Sequence, residues 1–509
     1  MLSKLKTLSL LGLNAEIVEI EVDLHNASLP KFQIVGLPDA AIQESKERVR
    51  SAIKNSGYKF PTGKIAINLA PADLRKHGPR FDLPIALGIL HAMQQITIPD
   101  DISKKIFVGE LGFSGELREI YGILPTTSEA KRFGFKEIFV PQQNSEEASL
   151  IPDVSVFSVK NLCQIIDHLS DLEPISPMPT KKLEPQNQEE NSEFDMKFIR
   201  GNEHGKRALE IAAAGGHNIL MSGPPGSGKT MLAKSFATIL PLLTVDEILS
   251  ITKIHSIAGF TNEKNPILLQ RPFRTVHHTA SGVSIVGGGN PPKPGEISLS
   301  HRGILFLDEF AEFPQKTLEV LRQPLEDGKI TISRAAGTLT FPAKFTLVSA
   351  MNPCPCGYLS DPDRDCVCSP FQVQRYRNKI SGPLLDRIDL HIEVPRVDFE
   401  KLTQNEEGET SKEIRMRVQA ARDIQIERFK GTKIASNAEM SSSSVKKHCL
   451  FDNDGKKLLK SAVAQMSLSG RAFYRILKLA RTIADLDKSK NLEITHLAEA
   501  IQYRERKED

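Results

Sequence analysis

The chain has 509 residues, more than a single hydrophobic core serves, so two to four domains are expected. With 40% hydrophobic and 25% charged residues it has the composition of an ordinary globular protein. A net charge of +3 is too small to imply a nucleic-acid partner, so any basic surface must be local. No apolar run reaches the roughly 18 residues of a membrane span, so no membrane partner is expected. The apolar stretch at 8–13 is too short for a signal peptide and no small-residue cleavage site follows, so the expected location is cytoplasmic.

Residues 1–170 alternate between strand-like stretches (15–24, 64–69, 137–140) and helix-like stretches (40–55, 83–93, 161–169), which predicts an α/β or α+β domain. Residues 171–194 hold four prolines and six acids with few large apolar side chains, the composition of a flexible linker. A second α/β domain is expected over 195–397, with a helix at 207–214 and buried strands at 217–221, 303–307 and 345–349. Residues 398–509 read as a helical domain with segments at 413–428, 455–466, 471–484 and 495–504, and with Ser469 and Thr495 as N-caps.

The second domain carries the chemistry. Gly223, Pro224, Pro225, Gly226, Ser227, Gly228, Lys229 and Thr230 fit the pattern GxxxxGK[ST] between an apolar strand and a helix, the context that motif requires. Glycines let the backbone N–H groups curl around a phosphate, and a helix N-terminus adds positive potential. Lys229 is expected to reach the β- and γ-phosphates of ATP, and the Thr230 hydroxyl to bind Mg²⁺. A buried strand ends in Asp308 and Glu309, where α/β sheets bind ligands. Asp308 is expected to hold Mg²⁺ and Glu309 to polarise the attacking water, although such a pair is often only a helix cap. A third strand ends in Asn352, read as a group orienting the water or sensing the γ-phosphate, against a plain turn before Pro353.

Cys354, Cys356, Cys366 and Cys368 crowd together. In a reducing compartment four such thiols favour a metal, and tetrahedral thiolates suit Zn²⁺. The tight Cys-x-Cys spacing leaves free or regulated thiols and an iron–sulfur cluster open. Residues 274–296 form a Gly- and Pro-rich insertion. Residues 329–341 alternate apolar and polar on both sides of a small-residue turn near Gly337, a β-hairpin pattern.

Three strand ends in this order resemble the AAA+ ATPases. Further stretches narrow the likeness: Arg207 to Asn218 ahead of the phosphate loop, His277-His278, the glycines 287–289, Asn352 to Gly357, Ser381 to Asp389, and Leu468 to Phe473. Together they resemble the magnesium-chelatase-like ComM/YifB family over nearly the whole chain. That resemblance implies an AAA+ P-loop core with a helical lid, behind a Lon proteolytic-domain-like (ribosomal S5 domain 2-like) α+β domain. It also implies a homo-hexameric ring with nucleotide between subunits.

In that ring Arg387 matches the arginine finger and Arg471 the second sensor arginine. From the residues alone, Arg387 could instead pair with Asp386 or Asp389 at the surface, and Arg471 could be a solvated first-turn residue. Similar hairpins in related ring helicases enter the channel, which makes Lys329 and Arg334 candidate contacts for DNA phosphates, against a hairpin used only for packing. The segment around Arg80 resembles that of Lon's catalytic serine, and the segment at 122–124 that of its lysine. Arg80 and Leu124 replace both, so no peptidase activity is expected. The family implies helicase or branch-migration activity on single-stranded or branched DNA during natural transformation. A protein remodeller and a chelatase motor subunit are the alternatives.

Overall fold

The computed structural model describes residues 2–504 except 26–29, 184–192, 291, 335–336, 360 and 398–407, and for residues 100, 334 and 337 the backbone alone.

The N-terminal unit is built on two sheets. Strands Ser3–Leu11 and Asn14–His25 pair antiparallel around a tight turn, Lys64–Ala70 joins the second, and Lys31–Val35 closes the edge. The short apolar stretch near the N-terminus is thus strand, with Leu5 and Leu8 in the core. A second, parallel sheet holds Lys105–Phe107, Glu137–Pro141 and Ser155–Val159. Helix Asp82–Ala92 packs on the first sheet and is buried nearly all round, which its apolar run dictates. Helix Ala40–Asn55 is capped by Asp39, whose carboxylate accepts the Ile42 N–H at 3.0 Å.

Part of the segment expected to be a flexible linker is packed. Met178 donates its N–H to the Val156 carbonyl at 2.7 Å, and Ile175 and Leu183 lie against the apolar clusters of this unit. The Ile175 N–H also donates to His168 Nδ1 at 3.0 Å, and the Lys181 N–H to the Ser149 carbonyl at 3.3 Å. Residues 184–192 lie outside the described residues.

The next unit is a five-stranded parallel sheet. Its order is Phe273–Val276, Ile304–Leu307, Thr346–Met351, Ile219–Ser222 and Leu390–Glu393. Strand Phe273–Val276 was hidden within the expected insertion because it is a half-exposed edge carrying Arg274 and Thr275. Behind it the insertion closes on itself. Arg274 forms a bidentate pair with Glu296 at 2.6 and 2.8 Å, across helix Gly282–Val286 and a two-residue ribbon.

Helices Ser411–Arg428, Asn453–Gln465, Gly470–Leu486 and Ile494–Gln502 follow. Ser469 caps the third, accepting the Ala472 N–H at 3.2 Å. Thr495 is not a cap. The helix starts one residue earlier behind Glu493, whose N–H donates to His496 Nδ1 at 3.0 Å. These helices share one apolar core with the sheet, where Ile476, Leu479 and Leu497 meet Ile211 and Leu390.

Hairpin Lys329–Arg334 and Gly337–Pro342 alternates as its sequence does. Ile330, Ile332 and Phe341 are buried, while Thr331 faces Thr340 and Ser333 faces Thr338 on the other side. Its apolar face also meets the N-terminal unit, where Gly12 lies against Leu339 and Phe341. Elsewhere the two units join through Gly122 N–H to the Ser256 carbonyl at 3.1 Å and Lys253 Nζ to Ser128 Oγ at 2.7 Å.

Candidate nucleotide site

Parallel register brings three strand ends to one edge of the sheet. Ser222 lies beside Met351, and Leu307 beside Ser349, so the residues that follow these strands share a cleft. The phosphate loop follows Ser222. Gly226 and Gly228 have φ of 78° and 88°, a conformation a side chain resists. Helix Lys229–Thr238 begins on the lysine itself, so the loop's N–H groups and the helix terminus face the same space.

Lys229 is already aimed along this loop. Its Nζ donates to the carbonyls of Gly223 at 2.7 Å and Pro224 at 2.8 Å, and lies 3.4 Å from Asn352 Oδ1. Burial lowers its pKa from the ordinary lysine value. The third strand end thus places the Asn352 side chain beside the lysine. Thr230 Oγ1 donates to Asp308 Oδ2 at 2.9 Å. A hydroxyl and a carboxylate oxygen adjacent at the mouth of a phosphate loop are oxygen donors of the kind Mg²⁺ takes, with water filling the other positions.

Glu309 sits at φ 53°, a left-handed conformation unusual for a side-chain-bearing residue and enriched at functional sites. It precedes the short turn Phe310–Glu312, but its carboxylate makes no capping bond. Instead Oε2 lies 2.9 Å from His278 Nδ1, close enough for an ion pair when the imidazole is protonated, though not aligned as a hydrogen bond. The His278 ring lies tilted by 35° to that of His277, with 4.1 Å between ring centroids. In the sequence both histidines stood out only within the family likeness. They directly follow strand Phe273–Val276, which pairs in parallel with Ile304–Leu307, the strand leading to Asp308.

The two arginines meet on another face. Arg387 Nη1 donates to the Pro383 carbonyl at 2.6 Å, and Nη2 pairs with Glu326. Arg471 Nη2 reaches the other oxygen of the same Glu326 at 3.5 Å. Neither expected surface partner holds Arg387. Asp389 is taken by Arg475 and by the Asn218 N–H. Arg387 and Arg471 hold the Glu326 carboxyl below its ordinary pKa. Glu326 was not foreseen, and nothing in its sequence context marks it.

The four cysteines converge, with Sγ–Sγ separations of 3.3 to 3.6 Å among Cys354, Cys356 and Cys366, and with Cys368 Sγ accepting the Cys356 N–H at 3.4 Å. Lys329 is exposed at the base of its hairpin; the Arg334 side chain lies outside the described residues. In the N-terminal unit Arg80 is buried, with Nη1 on Thr126 Oγ1 at 3.1 Å and Nη2 on the Tyr121 carbonyl at 2.8 Å. Leu124 is fully buried nearby. The two segments that resemble Lon's dyad therefore do meet, with a guanidinium filling the space.

A parallel sheet in this order, with a phosphate loop after one strand, an acid pair after another and an asparagine after a third, is the architecture of an AAA+ ATPase. ATP is its substrate and Mg²⁺ the metal of the reaction. The family pattern described as magnesium chelatase, subunit ChlI, matches residues 195–402. The pattern of subunit ChlI of Mg-chelatase matches 20–144, and that of the subunit ChlI C-terminal matches 408–504. Competence protein ComM of Haemophilus influenzae is 44% identical over 501 residues, covering 97% of this chain and 96% of that protein. Uncharacterized protein YifB of Salmonella typhimurium is 43% identical, covering 98% and 96%. The chain belongs to the ComM/YifB family of magnesium-chelatase-like AAA+ ATPases. Lon protease 2 of Bacillus subtilis is 26% identical over 136 residues, a partial likeness covering 26% of this chain. No helix among the described residues is long and apolar enough to cross a membrane.

Proposed function

We propose that this chain is a cytoplasmic ATP-driven motor on DNA, working as a homo-hexameric ring in helicase or branch-migration steps of recombination during natural transformation. In this reading the phosphates lie along the loop from Gly223 to Thr230, with Lys229 turning from the loop carbonyls to the β- and γ-oxygens. Thr230 and Asp308 would hold Mg²⁺, which would offset the charge on those oxygens. Glu309 orients and polarises the attacking water, and Asn352 positions it beside the γ-phosphate.

The observation that carries the ring is the pairing of Arg387 and Arg471 on Glu326. Arg387 is buried with its Nε lacking a hydrogen-bond partner among the described residues, and neither arginine contacts the chain's own phosphate loop among its recorded hydrogen bonds and ion pairs. Two cations presented on one separate face suit a neighbour's nucleotide, so Arg471 is assigned to the same trans role as Arg387.

DNA is supported by the exposed hydroxyl ladder and Lys329 on the hairpin, and by the competence protein among the relatives. The four cysteines are read as a structural zinc site. The magnesium chelatase patterns favour one other reading, a chelatase motor subunit. The test is ATP turnover with forked or single-stranded DNA, with unfolded protein, and with neither. Stimulation by DNA is expected, and its affinity should fall in Lys329→Ala and Arg334→Ala, with a shallower salt slope and no change in sequence preference. Stimulation by unfolded protein alone, or by neither, refutes the DNA motor.

A further inference from the structure

The cysteine cluster lies directly beyond Asn352, and the other contacts beside it are polar and near the surface: Arg364 on the Tyr358 hydroxyl at 2.9 Å, and Arg396 at 3.7 and 3.6 Å from Asp361 and Asp363. Between Tyr358 and Pro370 every described residue is exposed or half-exposed, with Val367 at 85%, so this segment has no core of its own. Within it the sulfurs converge. Cys354 Sγ lies 3.3 Å from Cys356 Sγ, and Cys366 Sγ lies 3.6 Å from both. All four sulfurs lie within 4.8 Å of one another. A disulfide brings two sulfurs to about 2.05 Å, far closer than any pair here. Four thiolates at about 2.3 Å around one tetrahedral ion are spaced by roughly 3.8 Å; Cys354, Cys356 and Cys366 sit just inside that figure, and Cys368 lies within 4.8 Å of all three. The Cys356 N–H points at Cys368 Sγ, the kind of outer contact that steadies a thiolate ligand.

The same few residues touch the nucleotide loop. Gly357, one residue past Cys356, has φ 88°, and a Cβ there would stand 2.7 Å from Pro225 Cδ. Asn352, two residues before Cys354, lies 3.4 Å from Lys229 Nζ. A cross-link that fixes 354–368 therefore fixes both contacts with the phosphate loop.

We infer that the four cysteines bind zinc, and that this zinc knuckle braces the nucleotide site by holding Gly357 against Pro225 and Asn352 against Lys229. The brace rests on the zinc reading given above, and adds to it a control of nucleotide affinity. Zinc replaces the core that the segment lacks, and its loss frees the contacts on Pro225 and Lys229 together.

The experiment uses the full chain purified without chelator. Elemental analysis is expected to show about one zinc per chain. Affinity for a fluorescent ADP analogue is then measured before and after the zinc is displaced by an organomercurial, with circular dichroism on the same samples. Affinity is expected to fall roughly tenfold, the cost of one weakened charge-assisted contact, while the far-ultraviolet signal stays native. Gly357→Ala is the second arm, for the case in which zinc removal unfolds the chain. It should keep its zinc and still bind the analogue more weakly, because the added methyl displaces Pro225. Absence of zinc, an iron content with visible absorbance, or a disulfide found by mass spectrometry overturns the zinc reading itself. Zinc present, with analogue affinity within about twofold after its removal and in Gly357→Ala, overturns the brace alone.

Discussion

Replacing Arg387 by alanine separates catalysis from folding. Arg387 is 6% exposed, its guanidinium donating to the Pro383 carbonyl and pairing with Glu326. Glu326 is 52% exposed, so that pair contributes no more than about 1 kcal/mol. The carbonyl bond contributes about as much again. The backbone is held independently, since Asn218 Nδ2 and Arg475 Nη1 donate to the Arg387 carbonyl at 3.0 and 2.9 Å. The variant should therefore lose about 2 kcal/mol of folding stability, from the 5–15 kcal/mol typical of a domain, and still fold. If the guanidinium serves a neighbour's γ-phosphate, the loss in turnover is about 10³-fold or more, roughly 4 kcal/mol of transition-state stabilisation. Steady-state ATPase, nucleotide affinity and thermal unfolding measured together distinguish the two terms. Affinity should be near wild type while turnover collapses. Mixing Arg387→Ala with Lys229→Ala chains should restore part of the activity, because some mixed interfaces hold both intact parts. Wild-type turnover from Arg387→Ala, or full activity from a demonstrably monomeric wild-type sample, refutes the reasoning.

Glu309→Gln should bind ATP with near wild-type affinity and hydrolyse it at least about 10²-fold more slowly, because the amide cannot polarise the water; unchanged single-turnover hydrolysis refutes the assignment. His278→Ala removes the imidazole that lies 2.9 Å from the Glu309 carboxylate, so turnover should fall while nucleotide affinity does not, and unchanged turnover removes His278 from the chemistry. Glu147 lies in the N-terminal unit with the Ser256 and Thr261 hydroxyls beside it, accepting the Leu124 N–H at 3.0 Å, and burial raises its carboxyl from 4.5 to about 7. The folded chain thus keeps a proton that the unfolded chain loses. This contribution to stability is complete below about 4.5 and is lost as pH rises through about 7. Across that window the melting temperature of the wild type should fall relative to Glu147→Gln, and parallel curves would contradict the burial argument.

What the sequence determined by itself is local. The phosphate loop is legible because its glycines, lysine and threonine must stand in fixed order between a strand and a helix, and that order is written contiguously. Asp308 and Asn352 were legible for a related reason, since each ends a short apolar run that can only be a buried strand. The hairpin at 329–342 follows from its alternation, and the cysteines from their spacing. What only the tertiary structure decided is who meets whom across long separations. Glu326 gathers Arg387 and Arg471 from segments 61 and 145 residues away, and no local pattern encodes that meeting. His278 reaches Glu309 because strand Phe273–Val276 pairs in parallel with Ile304–Leu307, a register that a half-exposed edge strand does not announce. The segment 171–183 reads as linker by composition, yet three apolar side chains find waiting pockets. Chain-local rules set backbone conformation over a few residues, whereas a shared carboxylate, a strand register or an apolar pocket exists only once distant segments are packed together.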